Sequence, residues 1–111
     1  MRRYEIKKEN TRWMTMIKCI VEFFGVPLKT TEMKVEIELK EGAKLKDIIA
    51  ALRHKLPALE ETIIVPGEDR MVAGYTFNIH GHFYIDGYDD DQDIQLKDGD
   101  RIALLTIPTG G

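Results

Sequence analysis

Apolar and polar positions alternate from Thr15 to Phe24. Ile17, Cys19, Val21 and Phe23 fall on one parity, and Met16, Lys18, Ile20 and Glu22 on the other. A period of two is that of an extended chain, so this stretch is predicted as the first strand. Gly25, Pro27 and Lys29-Thr30-Thr31 break the pattern and predict a turn or loop. From Met33 to Lys40 it resumes more cleanly, with Val35, Ile37 and Leu39 against Lys34, Glu36, Glu38 and Lys40, a second strand with one buried and one wet side. After Glu41-Gly42 the period changes: Leu45, Ile48, Ile49, Leu52 and Leu56 recur at helical spacing up to Pro57, which predicts one amphipathic helix. Asp47 near its start and Arg53, His54 and Lys55 near its end suit the helix dipole.

Residues Leu59 to Gly74 read as a connecting segment, with Ile63-Ile64-Val65 short and extended and Pro66 to Arg70 of loop composition. Tyr75–Ile79 and Phe83–Ile85 predict two short strands around a His80-Gly81-His82 turn, followed by an acidic loop from Asp86 to Asp93. Lys97-Asp98-Gly99-Asp100 is a turn signal, and the apolar run Arg101 to Ile107 predicts the final strand. A helix that follows a hairpin must cover one face of the sheet, so the fold class is α+β in two layers.

Composition narrows the function. The chain has 111 residues, 43% of them hydrophobic and 32% charged, enough for a single core. A net charge of -3 gives no argument for nucleic acid, although five basic residues crowd Met1 to Trp13 and seven aspartates crowd Asp86 to Asp100. Cys19 is the only cysteine, which excludes an internal disulfide and CxxC chemistry and fits a reducing compartment. No apolar run reaches the roughly 18 residues a membrane span requires, nor is there a signal-peptide core. The expectation is a soluble, cytoplasmic protein with neither membrane nor nucleic-acid partner.

Few residues are arranged for catalysis. His80-x-His82 lacks four convergent ligands, Asp89-Asp90-Asp91-Gln92-Asp93 lacks the glycine and distal glutamate of a calcium loop, and Cys19 sits on the apolar parity of a strand as a small buried hydrophobe. No metal site is expected. The informative feature is the end: Pro108, Thr109, Gly110 and Gly111 follow directly on an apolar strand. Without a Cβ, a glycine pair makes a thin thread that fits a narrow channel and carries its carboxylate at the tip.

These residues together resemble the ubiquitin-like β-grasp sulfur carriers, in particular the small subunit of molybdopterin synthase. The resemblance runs from about Ile17 to Gly111 and rests on Phe23-Phe24-Gly25, Glu41-Gly42-Ala43, Phe77-Asn78-Ile79-His80-Gly81 and above all Leu96 to Leu104 leading to Thr109-Gly110-Gly111. It implies a mixed sheet with one main helix and three segments: a basic extension (1–13), the β-grasp domain (14–107) and a diglycine tail (108–111). It also implies that an ATP-dependent activating enzyme adenylates Gly111, that a sulfur donor converts it to a thiocarboxylate, and that the tail enters a synthase large subunit or another acceptor enzyme. Nucleotide and catalytic groups then belong to the partners, and this chain binds no cofactor. Carriage of sulfur for thiamine thiazole or tRNA, and conjugation to other proteins, use the same activated glycine. A non-carrier β-grasp interaction module is the alternative of a different class.

In β-grasp proteins the terminal strand pairs with strand one, which brings Met16, Ile20, Ala103, Leu105 and Ile107 onto the sheet face away from the helix. That parity predicts an apolar partner surface leading to the tail. The alternative is that residues 59–74 or the N-terminal extension fold over this face.

Overall fold

The computed structural model describes residues 16–25 and 33–106. The chain forms β1 (Met16–Phe24), β2 (Lys34–Lys40), α1 (Leu45–Lys55), a short 3-10 helix (Pro57–Glu61), β3 (Tyr75–Ile79), β4 (His82–Tyr84) and β5 (Arg101–Thr106). One mixed sheet holds the strands in the order β2-β1-β5-β3-β4. Only β1 and β5 are parallel, at its centre; β1 with β2, β3 with β5 and β3 with β4 are antiparallel. With α1 on one face this is the ubiquitin-like β-grasp.

The two periodicities place the core. Ile17, Cys19, Val21 and Phe23 of β1, Val35, Ile37 and Leu39 of β2, Phe77 and Ile79 of β3, and Ile102 and Leu104 of β5 are buried with Leu45, Ile48, Ile49 and Leu52 of α1. Asp47 starts the helix by accepting a hydrogen bond from the Lys44 N–H through Oδ2 at 2.8 Å, which satisfies a donor that the first turn leaves open. At the other end Leu56 N–H reaches Leu52 O at 2.8 Å, and Pro57 diverts the chain.

Residues 57–74 lie on the helix side of the core. Leu59 O receives the N–H groups of Thr62, Ile63 and Ile64, and Ile63 to Val65 then closes on Arg70 to Val72 through Val65 N–H to Arg70 O at 2.9 Å and Val72 N–H to Ile63 O at 2.8 Å. The short extended piece expected at Ile63-Ile64-Val65 thus exists, paired through Ile64 and Met71. Leu59, Ile63, Ile64 and Met71 join the core, and Arg53 of α1 grips Glu60 and Asp69. This segment therefore does not cover the open sheet face.

Two turns set the registers. His80 and Gly81 both have positive φ, 56° and 82°, the two-residue turn whose twist matches a hairpin. His82 consequently already pairs with Ile79, so β4 is His82–Tyr84 rather than Phe83–Ile85. At the other turn, the Lys18 N–H donates to Asp98 Oδ1 at 2.8 Å, Gly99 N–H to Lys18 O at 2.7 Å, and Ile20 N–H to Asp100 O at 2.9 Å. Asp98-Gly99 is stitched to β1 and fixes where β5 begins.

Candidate functional site

Since Ile102 and Leu104 are fully buried, the opposite parity of β5 places Arg101, Ala103 and Leu105 on the sheet face away from α1. The register then builds rows across that face. Phe24, Leu105 and Thr76 are direct neighbours across β1, β5 and β3, and Glu22, Ala103, Asn78 and Phe83 form the next row, reaching β4. Ile20 lies in a third row between Glu36 and Arg101. At 50% and 56% exposure, Phe24 and Phe83 are uncovered aromatic side chains. Thr76 is buried at 5% and turns its hydroxyl inward, donating to Tyr84 O at 2.9 Å; that end of the face therefore presents mainly carbon.

Among the residues expected at this surface, Ile20, Ala103 and Leu105 come together as half-buried side chains. Met16 does not join them. It shares their face but starts β1, eight residues before Phe24, roughly 26 Å away at the rise of a strand, with Lys18 between. Strand parity is correct for Met16, but parity says nothing about distance along the strand. Ile107, Pro108, Thr109, Gly110 and Gly111 lie outside the described residues, as do the 1–13 extension and the boundary at residue 14. Sequence reading missed Phe24 and Phe83 as parts of the surface. Phe24 shares the parity of Ile20 and was legible from it; Phe83 depends on a register set by the His80-Gly81 turn.

The surface is polarised. Its one apolar row, Phe24-Leu105-Thr76, lies where β5 ends, whereas Glu36, Glu38, Lys18 and Arg101 occupy the other end and the β2 side, with Arg101 Nη1 3.8 Å from Glu22 Oε2. Gly25, at φ +67°, continues β1 beside Thr106, whose Oγ1 is 3.7 Å from where a Cβ on Gly25 would stand. Five residues separate Thr106 from Gly111, a reach of at most about 17 Å.

Other reactive side chains have structural work. Burial first, then the charges of Asp100 and Asp98, push the Cys19 thiol up to about 11, and a protonated buried thiol is a poor nucleophile. His80 Nε2 lies 2.9 Å from Asp100 Oδ2, while the His82 ring rests against Tyr84 with centroids 4.4 Å apart. In the acidic loop, Asp86, Asp89 and Asp90 accept from the backbone N–H groups of Met71, Ile85 and Gly87 at 2.8–2.9 Å. These carboxylates fold the loop. Among the described residues no three His, Cys, Asp or Glu side chains converge as a metal site, and no helix is long and apolar enough to cross a membrane.

An apolar face at the end of a central strand, with two glycines a short reach beyond, is matched by sequence: the model of the ThiS family covers residues 21–111. The chain belongs to the ThiS family. It is thus a ubiquitin-like protein of the sulfur-carrier type. The fold is shared with the solution structure of the Haloferax volcanii HVO 2177 protein, at a TM-score of 0.58 and 15% identity over 86% of this chain and 88% of that one. The solution structure of the small archaeal modifier protein 1 from Methanosarcina acetivorans gives a TM-score of 0.49 and 23% identity, over 86% and 98%. No functionally curated protein matches the chain. Relative to the ThiS match, residues 57–74 fall inside the domain, and the basic residues before Met16 fall outside it.

Proposed function

We propose that this ThiS-family chain carries sulfur on Gly111 for synthesis of the molybdenum or tungsten pterin cofactor. The Gly111 carboxylate attacks the α-phosphorus of ATP in the active site of an activating enzyme and pyrophosphate leaves. Because AMP is a far better leaving group than hydroxide, hydrosulfide released by a sulfur donor then displaces it from the acyl carbon, the C–S bond forming as the C–O bond to AMP breaks, and leaves a thiocarboxylate. The acceptor enzyme takes the sulfur and water restores the carboxylate. This chain supplies the acyl group and the docking surface; nucleotide, metal and catalytic side chains are the partners'.

The observation that carries the reading is the apolar row Phe24-Leu105-Thr76 at the end of β5, whose Leu105 lies at most about 20 Å of chain from Gly111. A partner seated on that row has the terminal glycine within reach of an adjacent channel. The pterin acceptor is favoured over thiazole by a chain longer than thiamine-type carriers usually are, and by Asn78-x-x-Gly81, where Asn78 stands on the docking face beside Ala103 and Gly81 makes the turn.

The test is ATP–pyrophosphate exchange by the cognate activating enzyme, with the full chain, a chain lacking Gly110-Gly111, and Gly111→Ala. Truncation abolishes exchange with the melting temperature unchanged, because the lost residues lie beyond the last strand. The added methyl beside the reacting carbon slows adenylation by about a hundredfold while docking persists. Unchanged exchange by the truncated chain overturns the carrier reading. Conversion of a pterin precursor by the loaded chain and its acceptor separates this route from thiazole or tRNA thiolation.

A further inference from the structure

The edge strand β2 carries information that the carrier cycle does not use. Phe23 N–H donates to Met33 O at 2.9 Å, and these residues stand opposite each other in the β1–β2 register. In an antiparallel pair such directly bonded positions recur at every second residue, so Val35, Ile37 and Leu39 turn their backbone groups toward β1. Lys34, Glu36, Glu38 and Lys40 turn theirs outward. The bonds on the other side of β1 agree: Lys18 O and Ile20 N–H face the β5 side. Among the described residues no strand pairs with the outer edge of β2. An open groove of about 510 Å³ lies along it, lined by Ala50, Ala51, His54 and Lys55 of the helix, by Glu36, Ile37 and Glu38 of β2 and by Met16 and Lys18 of β1.

The same four residues that offer backbone bonds also place charged side chains on the open face, in the order Lys34, Glu36, Glu38, Lys40. That order reads the same from both ends. A second copy pairing antiparallel over the full strand, centred on Ile37, would set Lys34 opposite Lys40 and Glu36 opposite Glu38, and each again by symmetry, so all four facing pairs are like charges. Directly opposed like charges destabilise a strand pair, so the edge disfavours its own copy in the full-length register.

We propose that the free edge of β2 takes an extended segment of a different protein, antiparallel, whose side chains on the open face read acid, base, base, acid at every second position. Facing Lys40, Glu38, Glu36 and Lys34 in turn, such a segment makes four opposite-charge pairs, and its intervening side chains point to the helix side, beside the groove. Backbone bonds along an exposed edge supply attraction without sequence preference; the charge order supplies the choice of partner and register. The proposal is independent of the chemistry at Gly111.

Two peptides of identical composition and zero net charge test it: acetyl-Glu-Thr-Lys-Val-Lys-Thr-Glu-amide and acetyl-Lys-Thr-Glu-Val-Glu-Thr-Lys-amide, each titrated into the isotope-labelled full chain at low salt and followed by amide shifts. Cross-strand charge pairs of about 0.2–1 kcal/mol each, summed over four positions, favour the first peptide by roughly tenfold or more. The amides of Lys34, Glu36, Glu38 and Lys40 shift most, and the preference shrinks at high salt. The double variant E38K/K40E keeps the net charge but offers each peptide two favourable and two unfavourable pairs, so its preference disappears. Equal affinity for the two peptides, no response to either, shifts centred on Phe24 and Leu105, or a preference that survives in a folded E38K/K40E would overturn the proposal. If the variant does not fold, the comparison of the two peptides on the native chain decides.

Discussion

Leu104 and Leu105 are consecutive, chemically identical and on opposite faces of β5, so changing each in turn separates folding from docking. Leu104 is fully buried in the core beneath α1; Leu104→Ala removes its contacts and leaves a cavity, which costs about 2–5 kcal/mol. For a domain of this size that lowers the melting temperature by roughly 10–20 °C. Leu105 is half-buried between Phe24 and Thr76 with water on its outer side. Leu105→Glu loses part of one cross-strand contact, on the order of 1 kcal/mol, and its charge stays solvated in the free protein. In a partner complex the carboxylate is desolvated without a counter-charge, which costs about 2 kcal/mol or more, or roughly a thirtyfold rise in Kd. Thermal melts followed by circular dichroism, beside calorimetric titration with the activating enzyme, read both quantities. Leu104→Ala is predicted to melt early yet bind with nearly native affinity at low temperature, and Leu105→Glu to do the reverse. If Leu105→Glu unfolds as readily as Leu104→Ala, or binds the partner as the native chain does, the open face is not the docking face.

Asp98→Ala removes the acceptor held by the Lys18 N–H; a stability loss of about 1 kcal/mol is expected, with hydrogen exchange accelerated at Lys18 and Gly99 but not at Val35, and uniform acceleration would show that the turn does not fix the β1–β5 register. Cys19 gives a pH dependence of definite sign: its folded-state thiol is raised from 9.0 to about 11, so its contribution is complete below pH 9.0 and is lost as pH rises through about 11. Urea midpoints of the native chain should therefore fall relative to Cys19→Ala across that window, by a difference on the order of 2 kcal/mol, and parallel curves would contradict the assignment.

Strand parity and helical spacing are local properties, and they were sufficient to read β1, β2, α1 and the inward set Ile17, Cys19, Val21 and Phe23 from the sequence. The pairing of β5 with β1 entered only through resemblance to β-grasp proteins; the structure explains it by the hydrogen bonds from Lys18 and Ile20 to the Asp98–Asp100 turn. Positions that depend on distant partners were not legible. Phe83 reaches the open sheet face beside Ala103 because Asn78 aligns the two, and Met16 lies far from them on that face because strand length separates residues that parity unites. The segment 57–74 shows no clear periodicity because its place is set by burial of Ile63 and Ile64 and by the grip of Arg53 on Glu60 and Asp69. The acidic loop showed no ligand pattern in the sequence, yet several of its aspartates are bound to backbone N–H groups, one of them fifteen residues away at Met71.

The central claim is that Gly111 carries sulfur, and intact-mass spectrometry of the chain isolated from its native cells tests it most directly. The account predicts a species in which one sulfur replaces one oxygen, assigned by fragmentation to the terminal glycine and lost when the activating enzyme is deleted. A chain found only as the free carboxylate, in cells that keep the activating enzyme and the sulfur donor but have lost the acceptor enzyme, would contradict it.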